Sequence, residues 1–144
     1  MRSAIIGLGT IGRVHAELLA SRGEEIVALC DVNTAAAEAV KEKYAKDAKI
    51  YADYLQMLDE AKPDVVHICT PHYLHADMVI EALAQDINVL CEKPLAMRLD
   101  ECEAIIAAAR ASGKKFMVGQ VCRKTPAFAL MKEMVDRGDI GELF

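Results

Sequence analysis

The sequence lacks the long apolar run and the export signal that would direct a protein to a membrane or out of the cell. No stretch approaches the ~20 apolar residues that a membrane-spanning helix needs. Met1-Arg2-Ser3 leads directly into a short apolar run and a glycine loop, without a small-residue cleavage site. We therefore expect no membrane partner and a cytoplasmic location.

An excess of basic residues is also lacking. Lys and Arg number 17 against 22 Asp and Glu, which gives a formal net charge of -5 at pH 7. This balance argues against nucleic acid and anionic membrane surfaces as main partners. A phosphate-bearing ligand would have to be bound through local geometry rather than through overall charge.

Paired cysteines are missing as well. The five cysteines include no C-x-x-C pair, and none has a neighbouring histidine at the spacing of a metal site. Three of them, Cys30, Cys69 and Cys91, lie in apolar runs that are typical of buried strands. We expect no metal site, and thiols that pack as small hydrophobic groups.

The 144 residues contain a regular alternation of short β-rich runs and helical patterns, without internal repeats or evident linkers. Most of the runs are continuously apolar, as expected of parallel strands that are covered on both faces. Repeated βα units of this kind predict a doubly wound α/β fold with a mainly parallel sheet and helices on both faces. The predicted strands are 4–6, 26–30, 49–51, 65–69, 88–91 and 116–118.

Helical spacing and helix-end signals fill the segments between these runs. Asp100-x-x-Glu103 has the form of a capping box, and Gly113 and Gly138 are typical helix stops. Residues 126–137 are a predicted helix, and 138–144 are a predicted turn that enters a new strand. Apolar stripes at helical spacing comprise Ile11, Val14 and Leu18; Leu74, Met78 and Ala82; and Cys102, Ile105, Ile106 and Ala109.

A glycine-rich loop joins the first predicted strand to the first predicted helix. Its sequence, Gly7-Leu8-Gly9-Thr10-Ile11-Gly12, is a G-x-G-x-x-G pattern in the context in which it binds a dinucleotide pyrophosphate. Gly7 is expected to permit a tight turn, Gly9 to let the pyrophosphate approach, and Gly12 to let the helix pack closely. The start of the helix then offers free N–H groups and a partial positive charge.

An acidic residue ends the second strand where a Rossmann fingerprint places it. Asp31 follows the loop by about 20 residues, where a carboxylate accepts hydrogen bonds from the adenosine ribose. It would repel a 2′-phosphate, and neither Val32 nor the two residues after it supply a cation. We predict NAD as the cofactor and NADP as less favoured, although Arg13 or a lysine from elsewhere could approach.

Two more chemically rich segments follow the fourth and fifth strands, where ligands of such folds bind. The first contains Thr70, Pro71, His72 and His75, and the second is Glu92-Lys93-Pro94. We take these residues as candidate cofactor contacts, with Lys93 as the candidate catalytic residue.

Structural alternatives stand beside these assignments. Lys93 could be a solvated surface lysine, and His75 could cap or pack the helix after Pro71. Gln120, which follows the last strand, could face a nicotinamide ring or anchor the next helix. His15 and His67 lie inside a predicted helix and a predicted strand, and we interpret both as structural.

The motifs together resemble the Gfo/Idh/MocA family, the glucose-fructose oxidoreductase and inositol dehydrogenase-like proteins. Glu-Lys-Pro after the fifth strand, with Thr-Pro and a histidine four residues after that proline, is more specific than the glycine loop alone. His72 departs from the asparagine that members often carry there. The matching segments in order are 7–12, Asp31, Thr70-Pro71-x-x-x-His75, Glu92-Lys93-Pro94, Val118-Gly119-x-x-x-Arg123 and Gly138-x-Ile140-Gly141.

The resemblance implies an N-terminal Rossmann domain followed by a larger α/β domain that holds most substrate contacts and often the oligomer interface. We assign residues 1–121 to the dinucleotide-binding domain and 122–144 to a helix and the start of a connection to an absent C-terminal substrate domain. The family's acid/base histidine would belong to that domain. The resemblance also implies that Lys93 lies beside the nicotinamide and that the Lys93–Pro94 bond is frequently cis.

The implied function is hydride transfer between a nicotinamide and a hydroxyl or carbonyl carbon of a sugar, cyclitol or similar polyol. A non-catalytic dinucleotide sensor or regulator on the same fold is the alternative, and Lys93 favours chemistry over it. A biliverdin or dihydrodipicolinate reductase type is disfavoured by the Glu-Lys-Pro segment. We expect the chain alone to be inactive, and a homo-oligomer is possible.

Overall fold

A computed structural model describes residues 1–142 and contains one six-stranded sheet. Every neighbouring pair of strands is parallel. The order across the sheet is β3-β2-β1-β4-β5-β6, the order typical of dinucleotide-binding folds. The predicted fold class is therefore confirmed. The strands are β1 (Arg2–Ile6), β2 (Glu25–Cys30), β3 (Lys49–Tyr51), β4 (Val65–Ile68), β5 (Asn88–Cys91) and β6 (Phe116–Val118).

Within residues 1–142, six α-helices alternate with the strands, and two short 3-10 turns, His72–Leu74 and Val121–Lys124, follow β4 and β6. None of the helices in the described part of the chain is long and apolar enough to cross a bilayer. The helices are α1 (Thr10–Ser21), α2 (Thr34–Tyr44), α3 (Tyr54–Ala61), α4 (His75–Ala84), α5 (Leu99–Ser112) and α6 (Pro126–Asp136).

The sheet separates two hydrophobic cores, because successive side chains of a strand point to opposite faces. In β1, Ala4 and Ile6 belong to one core and Ile5 to the other. The first core is closed by residues of α3, α4 and α5, and the second by residues of α1 and α2. This burial on both faces explains why the central strands are continuously apolar rather than alternating.

Helix α1 packs through its small residues rather than through its apolar stripe. Gly12 and Ala16 are buried, whereas Ile11, Val14 and Leu18 are each more than two-fifths exposed. The helix must come close to the sheet and to the glycine loop, and only residues without bulk permit that approach. The stripe indicates the helix correctly but does not mark its buried face.

The predicted capping box at the start of α5 is wrong. The helix begins at Leu99, one residue before Asp100, and the carboxylate that accepts the free N–H groups belongs to Glu101. Glu101 Oε2 lies 3.0 Å from the Met97 backbone nitrogen and 3.1 Å from that of Arg98. The Asp100 carboxylate instead accepts from the Arg98 guanidinium at 2.7 and 2.8 Å.

Both predicted glycine stops are confirmed, since Gly113 and Gly138 have φ of 66° and 77°. Helix α6 ends at Asp136, and a turn follows it. Residues 138–142 form no strand, and the rest of the strand predicted there, Leu143 and Phe144, lies outside the described residues.

The cysteine side chains are free thiols, and those of the strands are enclosed by the cores. Burial raises the pKa of both Cys30 and Cys91 to about 12, which keeps these thiols protonated. Cys69 lies one residue beyond β4, and burial raises its pKa as well. No group of three or more potential metal ligands occurs within residues 1–142.

Candidate functional site

The sequence-predicted site segments all lie at the carboxyl edge of the sheet. The glycine loop follows β1, Asp31 follows β2, Thr70 comes just after β4, Glu92 follows β5 and Gln120 comes just after β6. The chain moves outward on one side from β1 to β3 and on the other side from β4 to β6. The connections therefore diverge above β1 and β4, which opens a crevice at the switch point where ligands of such sheets bind.

The three glycines of the loop have different surroundings. Gly7 has φ of 86°, in the left-handed region, and a Cβ there would lie 2.8 Å from the Cys69 and Thr70 backbone. A Cβ on Gly12 would come within 1.9 Å of the Gly7 carbonyl oxygen. A Cβ on Gly9 would meet no protein atom within 4 Å. The fold requires Gly7 and Gly12, whereas Gly9 leaves space for something outside the chain.

The start of α1 has backbone donors beside this open space. Gly9 is the N-cap and offers no side chain to the first turn. The first hydrogen bond of the helix runs from the Arg13 N–H to the Gly9 carbonyl at 3.1 Å. The N–H groups of Thr10, Ile11 and Gly12 thus precede the helical ladder, as an anion-binding helix start requires.

Asp31 is held between the glycine loop and the start of α2. Its Oδ2 accepts from the Leu8 N–H at 2.7 Å, and its Oδ1 accepts from the Asn33 N–H at 2.8 Å. The Leu8 side chain is fully buried, so only its backbone can take part in binding. Val32 is 90% exposed and lies beside the carboxylate in the sequence. Arg13 Nε donates to the Leu8 carbonyl at 3.3 Å, which places a cation at the loop.

A cavity of about 430 Å³ adjoins Asp31, and its walls are mainly apolar. Tyr54, Pro71 and Leu74 contribute to these walls. Sequence reasoning did not identify Tyr54. Asp53 was the available signal, because its carboxylate caps α3 by accepting from the Gln56 N–H at 2.8 Å and so places Tyr54 at the carboxyl edge.

His75 is a buried link between two loops of the site. It is 1% exposed, and its ring nitrogens Nδ1 and Nε2 each lie 2.9 Å from a backbone carbonyl, those of Pro94 and Thr70. The ring therefore connects the loop after β4 to the loop after β5. Its surroundings favour the packing alternative over direct contact with a ligand. His72, by contrast, is exposed in the 3-10 turn.

Glu92 and Lys93 follow β5 at the other side of the crevice. The Lys93 side chain is exposed, and the Lys93–Pro94 bond is cis, as the resemblance implies. Glu92 Oε2 accepts from the Lys93 backbone N–H at 3.2 Å. The same carboxylate packs against Gly119, where a Cβ would come within 3.0 Å of Oε1.

Two histidines that the sequence marks only as structural lie next to Glu92. His15 Nε2 is 3.0 Å from Glu92 Oε1, and His15 Nδ1 is 2.9 Å from His67 Nδ1. Burial, and secondarily His15, lower the pKa of His67 to about 4. Residues 15, 67 and 92 belong to separate βα units, so no spacing in the sequence indicates this contact.

Gln120 begins the 3-10 turn that leads to α6. Its N–H donates to the Val118 carbonyl at 2.7 Å, and its carbonyl accepts from the Arg123 N–H at 3.0 Å. Its backbone therefore anchors the turn, while its side chain is exposed at the carboxyl edge of β6.

Comparison with known proteins identifies one family. Residues 1–120 match the model of the Gfo/Idh/MocA family, described as an oxidoreductase family with an NAD-binding Rossmann fold. This description agrees with the prediction of NAD from Asp31.

The relatives include enzymes named for polyol and sugar substrates. Inositol 2-dehydrogenase of Salmonella typhimurium is 35% identical over 99% of this chain and 43% of its own length. D-glucoside 3-dehydrogenase of Escherichia coli is 35% identical over 100% of this chain and 41% of its own length. The crystal structure of myo-inositol dehydrogenase from Lactobacillus casei in complex with NAD(H) and myo-inositol has a TM-score of 0.89 and 32% identity, over 98% of this chain and 42% of its own.

Proposed function

The chain belongs to the Gfo/Idh/MocA oxidoreductase family, and we propose that it is the NAD-binding half of a dehydrogenase for a sugar, cyclitol or similar polyol. The observation that carries the proposal is that the carboxyl edge of the sheet has two chemically different sides. The glycine loop and Asp31 lie on one side, and Glu92 and Lys93 lie on the other. The first side suits a dinucleotide, and the second suits a reacting group.

The residues of the crevice fit the parts of NAD in order. The open space at Gly9 and the N–H groups at the start of α1 suit the pyrophosphate. The Asp31 carboxylate suits the adenosine ribose hydroxyls, and the apolar cavity beside it suits the adenine ring. The ends of β4 and β5, with Thr70 and Lys93, then remain for the nicotinamide half.

NAD, when bound, supplies the hydride acceptor, and the protein supplies orientation and electrostatics. The exposed Lys93 ammonium places a positive charge at the end of β5, where an alcohol oxygen would gain negative charge as hydride leaves its carbon. Glu92 holds the Lys93 backbone through a hydrogen bond at 3.2 Å. His75 keeps the loops after β4 and β5 together by its contacts with Thr70 and Pro94.

The substrate class is proposed from the relatives, whose names refer to inositol and to D-glucosides. The chain spans less than half the length of these relatives. We propose that most substrate contacts, and an acid/base histidine, come from a part of the protein that corresponds to the remaining length. An oligomer interface would belong to the same part. The five free thiols support a reducing compartment, the cytoplasm.

Calorimetric titration of the chain with NAD, NADP and ADP-ribose tests the cofactor assignment. We expect NAD to bind more tightly than NADP, because Asp31 accepts hydrogen bonds from ribose hydroxyls and repels a 2′-phosphate. Asp31→Ala should reduce the NAD-to-NADP affinity ratio by about tenfold, the loss of a charge-assisted hydrogen bond worth about 1.5 kcal/mol.

Asp59→Ala, on the exposed side of α3, is the matched control and should leave the ratio unchanged. The ratio is the informative quantity, because Asp31 also holds the Leu8 N–H and its removal can weaken both ligands. Tighter binding of NADP by the unmodified chain would contradict the assignment.

A further inference from the structure

We infer that His15 is a positioning residue for the nicotinamide half of the site, which it serves by holding the Glu92 carboxylate and, through it, the Lys93 backbone. The inference rests on the proposed function, because it assumes that the end of β5 faces the nicotinamide. It adds a residue of α1 whose side-chain hydrogen-bond partners are His67 and Glu92.

Three consecutive contacts carry the inference. His67 Nδ1 lies 2.9 Å from His15 Nδ1, and His15 Nε2 lies 3.0 Å from Glu92 Oε1. The third contact is the hydrogen bond from the Lys93 N–H to Glu92 Oε2 at 3.2 Å. They connect β4, α1 and the loop after β5 in one line.

The Glu92 carboxylate is fixed rather than solvated. Its side chain is 16% exposed and that of His15 is 14% exposed. A carboxylate this far from water needs hydrogen-bond partners, and both of its oxygens have one. Gly119 packs against it at a distance that leaves no room for a Cβ without displacement. The position of Glu92 therefore depends on His15.

The two ends of this series of hydrogen bonds are the Glu92 carboxylate, which accepts, and His67, which is uncharged. Because its pKa is lowered to about 4, chiefly by burial, His67 is neutral at neutral pH. The Glu92 carboxylate only accepts, so the proton between it and His15 lies on His15 Nε2. One proton lies between the two Nδ1 atoms, so that a continuous series of hydrogen bonds runs from His67 through His15 to Glu92.

Helix α1 contributes to both halves of the cofactor site, through its first residues and through His15. The same helix begins at the glycine loop, and His15 lies one turn after its first residues. A purely architectural role for His15 would affect both halves of the cofactor site through the helix. A positioning role for Glu92 would affect the nicotinamide half alone.

This difference defines the test, which compares two ligands. NADH contains the nicotinamide, and ADP-ribose lacks it while retaining the adenosine and the pyrophosphate. We expect His15→Leu to weaken NADH about fivefold, as for one lost hydrogen bond of ~1 kcal/mol, and to leave ADP-ribose affinity unchanged. His15→Gln, whose amide N–H replaces Nε2–H, should retain most of the NADH affinity. Leu18→Gln, on the exposed side of α1, is the control.

A spectroscopic measurement tests the contact itself and does not depend on ligand binding. The NMR signal of the Lys93 backbone amide should move in His15→Leu and stay in place in Leu18→Gln. Should His15→Leu fail to fold, Glu92→Gln tests the same series of hydrogen bonds from its other end. This variant should shift the NMR signals of the His15 ring nitrogens.

The outcomes are distinct. Equal weakening of both ligands, or an unchanged Lys93 amide in a folded His15→Leu chain, would overturn the inference. Failure of the unmodified chain to bind NADH would instead overturn the proposed function, while the NMR measurement would still decide whether His15 positions Glu92 and Lys93.

Discussion

Single glycines of the loop serve the fold or the ligand, and substitution can separate the two. Gly9→Val should abolish NAD binding with little change in melting temperature, because a Cβ at Gly9 meets no protein atom within 4 Å but occupies the space of the pyrophosphate. Gly12→Ala should lower the melting temperature, because its Cβ would lie 1.9 Å from the Gly7 carbonyl oxygen. Thermal unfolding and calorimetry on both variants check this.

The two variants control for each other. A Gly9→Val chain that unfolds would mean that Gly9 is a backbone requirement of the loop. A Gly9→Val chain that binds NAD as well as the unmodified chain would remove the phosphate role from this glycine.

The acid sensitivity of the fold should depend on His67. Its pKa is about 4 in the folded chain, against 6.5 for the unperturbed group, so the unfolded chain binds the proton first as the pH falls. The contribution of neutral His67 to the free energy of unfolding should therefore be fully present above pH 6.5 and decline below it. Near pH 4 the free energy of unfolding should have fallen by up to about 3 kcal/mol because of this group. Urea unfolding at pH 7 and pH 4.5 measures the loss.

Carboxylates titrate in the same range, so the comparison must be between variants. His67→Gln should lose less stability than the unmodified chain between the two pH values, whereas His72→Gln, at an exposed position, should lose as much. Equal losses in all three chains would show that His67 is not held neutral by burial.

At the start of α5, substitutions can distinguish the cap that the structure shows from the cap that the sequence suggested. Glu101→Ala should destabilise the chain by about 1 kcal/mol, since its carboxylate accepts from two backbone N–H groups ahead of the helix. Glu103→Ala removes the residue that the spacing to Asp100 suggested, and it should stay within about 0.5 kcal/mol because this glutamate is exposed. Denaturant midpoints of both variants measure the difference, and equal effects would contradict the cap.

Helix α1 shows how packing overrides a local pattern. Its large apolar residues, Ile11, Val14 and Leu18, are exposed, while Gly12 and Ala16 form the buried face. His15 is half-buried, lies between the exposed and the buried face of the helix, and contacts Glu92. Hydrophobic spacing locates such a helix, but the close approach to the glycine loop decides its orientation.

Catalytic turnover is a property of the whole molecule rather than of one residue or helix. We expect the 144-residue chain to bind NADH without oxidising inositols or glucosides, and a longer form of the protein to oxidise one of them. Orientation of reacting groups is worth up to about 7–11 kcal/mol of the barrier, and the exposed Lys93 cannot supply it alone. NADH formation with a panel of inositols and glucosides is the measurement.

Lys93→Ala in the longer form should abolish turnover, while Lys46→Ala, which is exposed after α2 and remote from the carboxyl edge, should preserve it. Turnover by the 144-residue chain would refute the need for further substrate contacts. Full activity of the Lys93→Ala protein would refute the role of that lysine.

The sequence by itself determined the order of elements, the doubly wound parallel sheet and the location of the glycine loop and Asp31. These follow from patterns within one or two neighbouring elements, such as apolar runs, glycine spacing and an acid at the end of a strand. The strand bounds were predicted to within two residues for the same reason. Strand β1 begins two residues earlier and β2 one residue earlier than expected, and β4 ends one residue earlier.

Only the tertiary structure decided which distant side chains meet. The contact of His15, His67 and Glu92, the link that His75 makes between two loops, and the cavity wall at Tyr54 each join residues from different βα units. Their distances depend on how helices pack across the sheet, and one sequence contains no periodic signal for that packing. For the same reason the sequence predicted α1 but not its buried face.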